Sequence, residues 1–164
     1  MAKLSVANIF NLSKATLVKF GALDWIADAV ADAIANSESV GNRICGLYYL
    51  ESYCLQLKSG RVKGDIEPIV SQEKAGIVHV DAKFGFAQPA FQIGIVPACE
   101  AALKNGICSL AIGHAHTCTS LGYFTEQIAK NNLIGIGLTN ASPIVAAPGG
   151  KSRIIGTNPI AFSV

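Results

Sequence analysis

Two histidines and a cysteine alternate along the chain in a spacing that could carry chemistry. His114, His116 and Cys118 follow the apolar run of residues 107–113, which is typical of a buried strand. If the backbone stays extended, the three side chains point to one face, and imidazole and thiolate are ligands that suit zinc. Imidazole also exchanges a proton near neutral pH, and ligands of α/β proteins usually bind beyond the carboxyl ends of strands. The segment predicts a functional histidine or a metal ligand, with polar residues that merely end a strand as the plain alternative.

Two glycine-rich stretches in the last third of the chain have the residue types of a phosphate cradle. Gly149 and Gly150 precede Lys151, and Thr157 and Asn158 precede a proline. Glycine permits close approach of the backbone, Thr and Asn donate hydrogen bonds, and Lys supplies positive charge. Neither stretch is a Walker loop, and no G-x-G-x-x-G follows a strand. Ordinary structural turns therefore remain an open alternative.

Arg43 and Cys45 lie between two predicted helices and are further candidates. A guanidinium beside glycines could hold a carboxylate through two parallel hydrogen bonds, although a solvated surface charge is the common outcome for an arginine. A thiol near a helix N-terminus would have a lowered pKa, but a free cysteine is usually a small buried hydrophobe. We favour the buried interpretation for Cys45 and keep Arg43 as a carboxylate-binding candidate.

Apolar periodicity predicts helices first and a mixed region of helices and strands afterwards. Helices are predicted over residues 6–20, 23–36, 47–57, 88–105 and 120–131. Strands are predicted over residues 68–71, 77–80, 107–113, 133–139 and 159–164, with a loop rich in Pro and Gly before the last one. Pro97 should bend or divide the fourth helix. The expected fold class is α/β, with a helical and α/β segment over residues 1–105 and the first part of a cofactor-binding α/β domain over residues 106–164.

The composition limits the partners of the protein. Hydrophobic residues make up 51% of the chain and charged residues 15%, whereas about 25% charged is usual for soluble domains. Some apolar surface is therefore expected to face a partner subunit, as in a homodimer, or a missing segment of the fold. A net charge of +2 with dispersed Lys and Arg argues against nucleic acid, and no apolar run approaches the ~20 residues of a membrane span. Five cysteines without a C-x-x-C pair, and first residues without a signal-peptide pattern, predict a cytoplasmic protein.

The order of several short blocks resembles the malate/L-lactate dehydrogenase family of NAD(P)-dependent oxidoreductases, which lacks a Rossmann fold. This group includes ureidoglycolate dehydrogenase and the piperideine/pyrroline-2-carboxylate reductases. The resemblance extends over nearly the whole chain but over only the N-terminal half of a family member. It is carried by residues 39–43, 58–60, 85–90, 122–124, 133–135, 139–143, 147–150 and 156–162.

The resemblance implies hydride transfer between NAD or NADP and a small 2-hydroxy or 2-oxo acid, or a cyclic imino acid. It also implies a dimer and an α/β fold distinctive to the family. Arg43 would hold the substrate carboxylate, and His116 is the candidate for proton transfer. The residues expected near the cofactor are Ser142, Gly149, Gly150, Thr157 and Asn158.

The chain departs from the family pattern at two histidines. Val40 stands where the family carries the histidine of a Ser-His-Gly block, and Thr117 stands where a further family histidine is expected. His116 is one residue away, so in an extended strand it would face the opposite side. These departures, together with an apolar strand that runs to the last residue, support an alternative hypothesis. In it the chain is a truncated, catalytically impaired member of the family that acts at most as an association module.

Overall fold

The computed structural model describes residues 3–164, so Met1 and Ala2, where the signal-peptide argument begins, lie outside the described residues. Contacts divide the chain into two compact units, one reaching to Ser120 and the other covering Leu121–Val164. This boundary differs from the sequence division after residue 105, because the strand Ser109–Gly113 pairs within the first unit. Among residues 3–164, no helix combines the length and apolar character that crossing a membrane requires.

The first unit begins with three α-helices, as the periodicity predicts. Ser5 caps the start of the first helix, where its hydroxyl accepts a hydrogen bond from the Asn8 amide at 3.1 Å. The third helix starts where the Glu38 carboxylate accepts from the Leu47 amide at 2.9 Å. A short 3₁₀ helix, Arg43–Cys45, was missed by the sequence interpretation. The three helices are α1, Val6–Lys19, α2, Asp24–Ser39, and α3, Leu47–Lys58.

The helices bury a common apolar core. Leu17 from α1, Ile34 from α2 and Tyr53 from α3 are fully buried within one cluster. Phe86, which follows the second strand of the sheet along the chain, joins the same cluster, with its ring edge-on to Tyr53 at 5.4 Å between centroids. An aromatic pair of this geometry is favourable beyond its buried area. The helical core and the Phe86 ring therefore both hold Tyr53 in place.

A three-stranded sheet covered by one long helix completes the first unit. β1, Ile69–Lys74, pairs antiparallel with β2, Ile77–Asp81, and β2 pairs parallel with β3, Ser109–Gly113. The connecting helix α4, Ala87–Asn105, packs on β2 and also contacts α2. Pro97 does not divide α4, which continues through it.

β3 is less buried than its apolar sequence predicts. Ile107 is exposed and precedes the strand, and the residues of β3 itself are half-buried or exposed. Within residues 3–164, β3 pairs with β2 on one side only, so it is an edge of this sheet. An apolar run cannot by itself distinguish a central strand from an edge strand.

The second unit contains one helix and two small sheets. A hairpin lies inside the region predicted as a Pro- and Gly-rich loop, because its two- and three-residue strands are too short to show an alternating pattern. The elements are α5, Leu121–Ala129, β4, Gly135–Leu138, β5, Val145–Ala146, β6, Arg153–Ile155, and β7, Ile160–Ser163. β4 pairs antiparallel with β7, and β5 pairs antiparallel with β6. Together the two units confirm the predicted α/β class.

Small residues allow α5 to lie close against β4 and β7. A Cβ atom added to Gly135 would be 2.7 Å from the carbonyl oxygen of Thr125, and one added to Gly137 would be 2.9 Å from its methyl group. The Thr125 hydroxyl also forms a 2.8 Å hydrogen bond with the Ser163 hydroxyl of β7. The helix and both strands thus depend on the absence of side chains at two positions of β4.

The Gly135→Val substitution is expected to destabilise the second unit by about 1–3 kcal/mol, because the new side chain would meet backbone atoms of α5. Hydrogen exchange of the amides in residues 121–164 would measure this change. Gly122→Ala in α5 is a matched control, since its added Cβ would meet no atom within 4 Å, and it should change stability by at most about 1 kcal/mol. Unaltered exchange in the Gly135→Val variant would contradict the close packing.

Candidate functional site

His116 lies where the chain continues beyond the paired ends of β2 and β3. The Phe84 amide donates to the His114 carbonyl at 2.7 Å, and the His116 amide donates to the Gly85 carbonyl at 2.8 Å. Residues 82–86 therefore run beside residues 113–116 and extend the parallel pairing past both strands. His116 lies at the carboxyl end of β3, the position at which α/β proteins usually bind ligands.

The two histidines do not share a face. His114 has a left-handed backbone with φ +48°, which breaks the extended geometry that the alternation assumes. Its exposed ring contacts Asp81, with 3.0 Å between Nδ1 and the carboxylate oxygen. The Lys83 amide and His114 both lower the pKa of Asp81, the amide more strongly. In the part of the chain that the structure describes, no three His, Cys, Asp or Glu side chains are gathered as a metal site requires.

The His116 ring is held in an aromatic pocket. Its centroid lies 6.1 Å from the rings of Tyr53 and Phe86, both edge-on. Its Nε2 atom is buried and has no hydrogen-bond partner among residues 3–164. Burial, assisted by the positive charge of Arg61, lowers the pKa of His116 below its usual value of 6.5. The imidazole is therefore neutral at physiological pH and presents an unsatisfied nitrogen.

Three polar groups surround this pocket, and sequence reasoning did not place them there. The Tyr53 hydroxyl donates to the Thr119 hydroxyl at 3.3 Å, and burial raises the pKa of Tyr53 while hydrogen bonds to Thr119 and Gln88 oppose the rise. Gln88 donates from Nε2 to the Cys118 carbonyl at 3.4 Å, and its buried Oε1 has no partner within residues 3–164. Thr119 has a φ of +54°, which is strained for a β-branched residue. A glutamine buried beside a buried tyrosine is a signal of a site, but it becomes visible only after folding.

Arg43 is the first residue of the 3₁₀ helix. Its neighbour Asn42 contacts the segment that follows His116. The Asn42 side chain donates to the Ser120 hydroxyl at 3.4 Å, which links the Arg43 loop to the residues that follow His116. Arg43 itself is exposed. Burial raises the pKa of the neighbouring Cys45 thiol, although a hydrogen bond with Asn42 opposes this. Cys45 is half-buried, and its raised pKa favours the thiol over the reactive thiolate.

The five cofactor candidates occupy two separate places in the second unit. The Asn158 side-chain oxygen accepts from the Ala141 amide at 2.8 Å, which brings Thr157 and Asn158 beside Ser142 at one end of the β5–β6 hairpin. Gly149 and Gly150 form the turn at the opposite end of that hairpin, where the Gly150 amide donates to the Ala147 carbonyl at 2.8 Å. The structure therefore does not gather all five residues into one cradle.

Both places nevertheless fit an anionic group. Gly149 has a φ of +76° and an open environment, because an added Cβ would meet nothing within 4 Å, and the exposed Lys151 follows it. The Asn158 amide and the hydroxyls of Ser142 and Thr157 are donors of the type that phosphate and ribose oxygens accept. The donor set suits the phosphates of a dinucleotide at either end of the hairpin.

A sequence model described as malate/L-lactate dehydrogenase matches residues 4–164. This chain belongs to the malate/L-lactate dehydrogenase family. The family comprises NAD(P)-dependent oxidoreductases. Membership confirms the resemblance read from the short sequence blocks.

Relatives in the malate/L-lactate dehydrogenase family include proteins with different substrates. The chain is 35% identical over 161 residues to the (2R)-3-sulfolactate dehydrogenase (NADP(+)) of Chromohalobacter salexigens, a match that covers 98% of this chain and 48% of the relative. The delta1-piperideine-2-carboxylate reductase structure from Pseudomonas syringae matches with a TM-score of 0.93 at 30% identity, covering 99% of this chain and 49% of that one. The malate dehydrogenase structure from Pyrococcus horikoshii OT3 matches with a TM-score of 0.91 at 28% identity, covering 98% and 46%. The chain thus spans about half the length of the relatives it matches.

The two positions that depart from the malate/L-lactate dehydrogenase pattern both lie at the surface of the first unit. Val40 follows the last residue of α2 and is 62% exposed. Thr117 is also exposed, whereas His116 is directed into the aromatic pocket. His116 and Thr117 thus point to different surroundings, as expected of neighbouring residues in an extended segment.

Lowering the pH below about 6.5 is expected to destabilise the first unit through His116. Because burial lowers the pKa of His116 in the folded state, the unfolded chain takes up its proton at higher pH. The free energy of unfolding should fall as the pH drops from 6.5 through the lower folded pKa, and this group should add no pH dependence well above 6.5. Urea unfolding followed by Trp25 fluorescence would show a smaller acid-induced loss in a His116→Gln variant. An equal loss in both chains would contradict the burial of the imidazole.

Proposed function

We propose that this protein is an NAD(P)-dependent oxidoreductase that transfers hydride to or from a small 2-hydroxy or 2-oxo acid, or a cyclic imino acid. The observation that carries the proposal is the buried, unpartnered Nε2 of His116 beyond β2 and β3 in a chain of this family. The sequence argument also favours a cytoplasmic homodimer, and both properties belong to this proposal.

His116 would exchange the substrate proton. Oxidation of a hydroxy acid requires a base for the hydroxyl proton, and reduction of a carbonyl or imine requires an acid. A lowered pKa keeps the imidazole neutral at physiological pH, so it acts as a base without first losing a proton. The buried Tyr53 and Phe86 rings fix the orientation of the imidazole.

Arg43 would bind the substrate carboxylate. The substrates in the names of the relatives, sulfolactate, piperideine-2-carboxylate and malate, share a carboxylate beside the carbon that exchanges hydride. An arginine pairs with a carboxylate through two parallel hydrogen bonds, which fixes both position and orientation. The exposed side chain of Arg43 is accessible to such a ligand, and the Asn42–Ser120 contact anchors its loop near the segment of His116.

The second unit would hold the dinucleotide, which supplies or accepts the hydride when bound. Backbone amides at the hairpin turn and the positive charge of Lys151 suit a pyrophosphate, while the hydroxyl and amide donors at the other end suit ribose or phosphate oxygens. The residues proposed to bind it are Ser142, Gly149, Gly150, Thr157 and Asn158.

Cofactor binding and turnover by the purified chain test the proposal. We expect NADH or NADPH fluorescence to titrate to saturation and the cofactor to be oxidised with pyruvate, oxaloacetate or a cyclic imino acid. Arg43→Ala should raise KM for the acid by about 10- to 100-fold, because a hydrogen-bonded charge pair is lost. Lys19→Ala, which removes an exposed charge at the end of α1, should not. A chain that neither binds nor oxidises either cofactor would end the proposal.

A second candidate is a catalytically impaired member of the family that acts as an association module. Val40 and Thr117, in place of two expected histidines, favour it. The two candidate functions differ in the expected effect of restoring the two histidines. If the chain is impaired by these changes, Val40→His with Thr117→His should create turnover that the unaltered chain lacks; if it is active through His116, the double substitution should not be needed.

A further inference from the structure

Gln88 places an amide side chain where burial makes an amide costly. It is the second residue of α4, and only 1% of it is exposed. Its Nε2 donates to the Cys118 carbonyl at 3.4 Å, while its buried Oε1 accepts no hydrogen bond within residues 3–164. A buried acceptor without a partner lowers stability, because it has given up its hydrogen bond to water and gained none in return. An apolar side chain of similar size would avoid this cost, so stability alone does not explain the amide.

Gln88 joins two of the elements that surround the His116 ring. Besides its bond to the Cys118 carbonyl, Gln88 forms a hydrogen bond with the side chain of Tyr53. Tyr53 lies edge-on to His116, with 6.1 Å between the ring centroids. Phe86, which directly precedes α4, lies edge-on to His116 at the same distance. The start of α4 therefore contacts His116 through Phe86 and holds the neighbours of His116 through Gln88.

The segment of residues 117–119, which follows His116, has a backbone that needs such support. Thr119 has a φ of +54°, a left-handed conformation that is strained for a β-branched residue. Its hydroxyl donates to the Cys118 carbonyl at 2.7 Å and accepts from the Tyr53 hydroxyl at 3.3 Å. Gln88 donates to the same carbonyl, so one hydrogen-bonded network includes the strained segment, α3 and α4. Strained backbone persists only where the surrounding contacts hold it, and such positions cluster at active sites.

We propose that Gln88 is a positioning residue for the proton transfer assigned to His116. It holds the 117–119 segment and the Tyr53 hydroxyl in the arrangement that keeps the His116 ring edge-on between Tyr53 and Phe86. Its effect on turnover rests on the proposed function, whereas its hold on the 117–119 segment does not. Positioning matters for the rate because misplacing a reacting group by about 1 Å can slow a reaction by about 100-fold.

Gln88→Met tests this role, because methionine keeps an unbranched side chain of similar size and has no amide. We expect Tm to rise or to stay within about 2 °C of that of the unaltered chain, since the unpartnered Oε1 is removed. At saturating NADH or NADPH, kcat should fall by about 10- to 100-fold, while Kd for the cofactor should change by less than about twofold. Gln92→Met, at an exposed position of the same helix, is the matched control and should change none of the three quantities.

Amide hydrogen exchange followed by NMR gives a readout that does not require turnover. The Thr119 amide donates to the Thr117 hydroxyl at 3.2 Å, and in Gln88→Met it should exchange at least about tenfold faster. The amide of Val30, fully buried in α2, should exchange at its unaltered rate. Faster exchange at Thr119 in a chain that proves inactive would support the hold of Gln88 on the segment and count only against the proposed function.

Three results would overturn the positioning role of Gln88. The first is an unaltered exchange rate of the Thr119 amide in Gln88→Met. The second is an active chain whose kcat the substitution leaves unchanged. The third is a loss of Tm of more than about 5 °C together with faster exchange at both Thr119 and Val30, which would make Gln88 a residue of general stability.

Discussion

The His116→Gln variant is expected to turn over its substrate about 10²- to 10⁴-fold more slowly than the unaltered chain, the usual contribution of a positioned acid–base group. Glutamine is polar and of similar size, but it cannot exchange a proton near neutral pH. The aromatic pocket of Tyr53 and Phe86 would still accept it, so the loss should appear in kcat rather than in cofactor binding. Steady-state kinetics at saturating NADH or NADPH would measure the effect.

His79→Gln is the matched control for this substitution, because His79 is exposed on β2, where its backbone pairs with Ser71 and Ala111. It should leave kcat unchanged. If His116→Gln lowered the stability of the first unit but kept kcat within about tenfold, His116 would be a structural residue rather than an acid–base catalyst.

Leu17→Ala is expected to lower the free energy of unfolding of the first unit by about 2–5 kcal/mol, the usual cost of removing a buried leucine side chain. Leu17 is completely buried in the cluster that also holds Ile34 and Tyr53. Helix α1 packs mainly on α2, so the cavity would open at the contact that defines the helical layer. Trp25, which packs against the same cluster, provides a fluorescence signal for denaturant unfolding.

Leu12→Ala on the same helix is the control that separates the effect of burial from the effect of the substitution itself. Leu12 is exposed, so the same atoms are removed without a cavity, and the expected change is within about 0.5 kcal/mol. Similar losses in the two variants would contradict the burial of Leu17 as the cause of its larger effect. The comparison also matters for function, because Tyr53 connects this core to the His116 pocket.

Much of the architecture could be predicted because it is encoded at short range. The helices α1, α2 and α3 follow from apolar residues that repeat with the helical period, and their ends follow from capping groups such as Ser5. The hairpin β5–β6 could not be found in this way, since strands of two and three residues contain too little pattern. The exposure of β3 also depends on how many strands pair with it, and a short stretch of sequence does not contain that information.

The sequence by itself determined the helices-first α/β order, the family of the chain and the residue types that could bind an acid and move a proton. Only the tertiary structure decided that His114 and His116 face different surroundings, that Tyr53 and Gln88 belong to the His116 pocket, and that the glycine turn is separated from Asn158. The physical reason is distance along the chain. The contact between Tyr53 and Thr119 joins residues 66 positions apart, and left-handed backbones such as that of His114 reverse the local rule that residues two apart share a face.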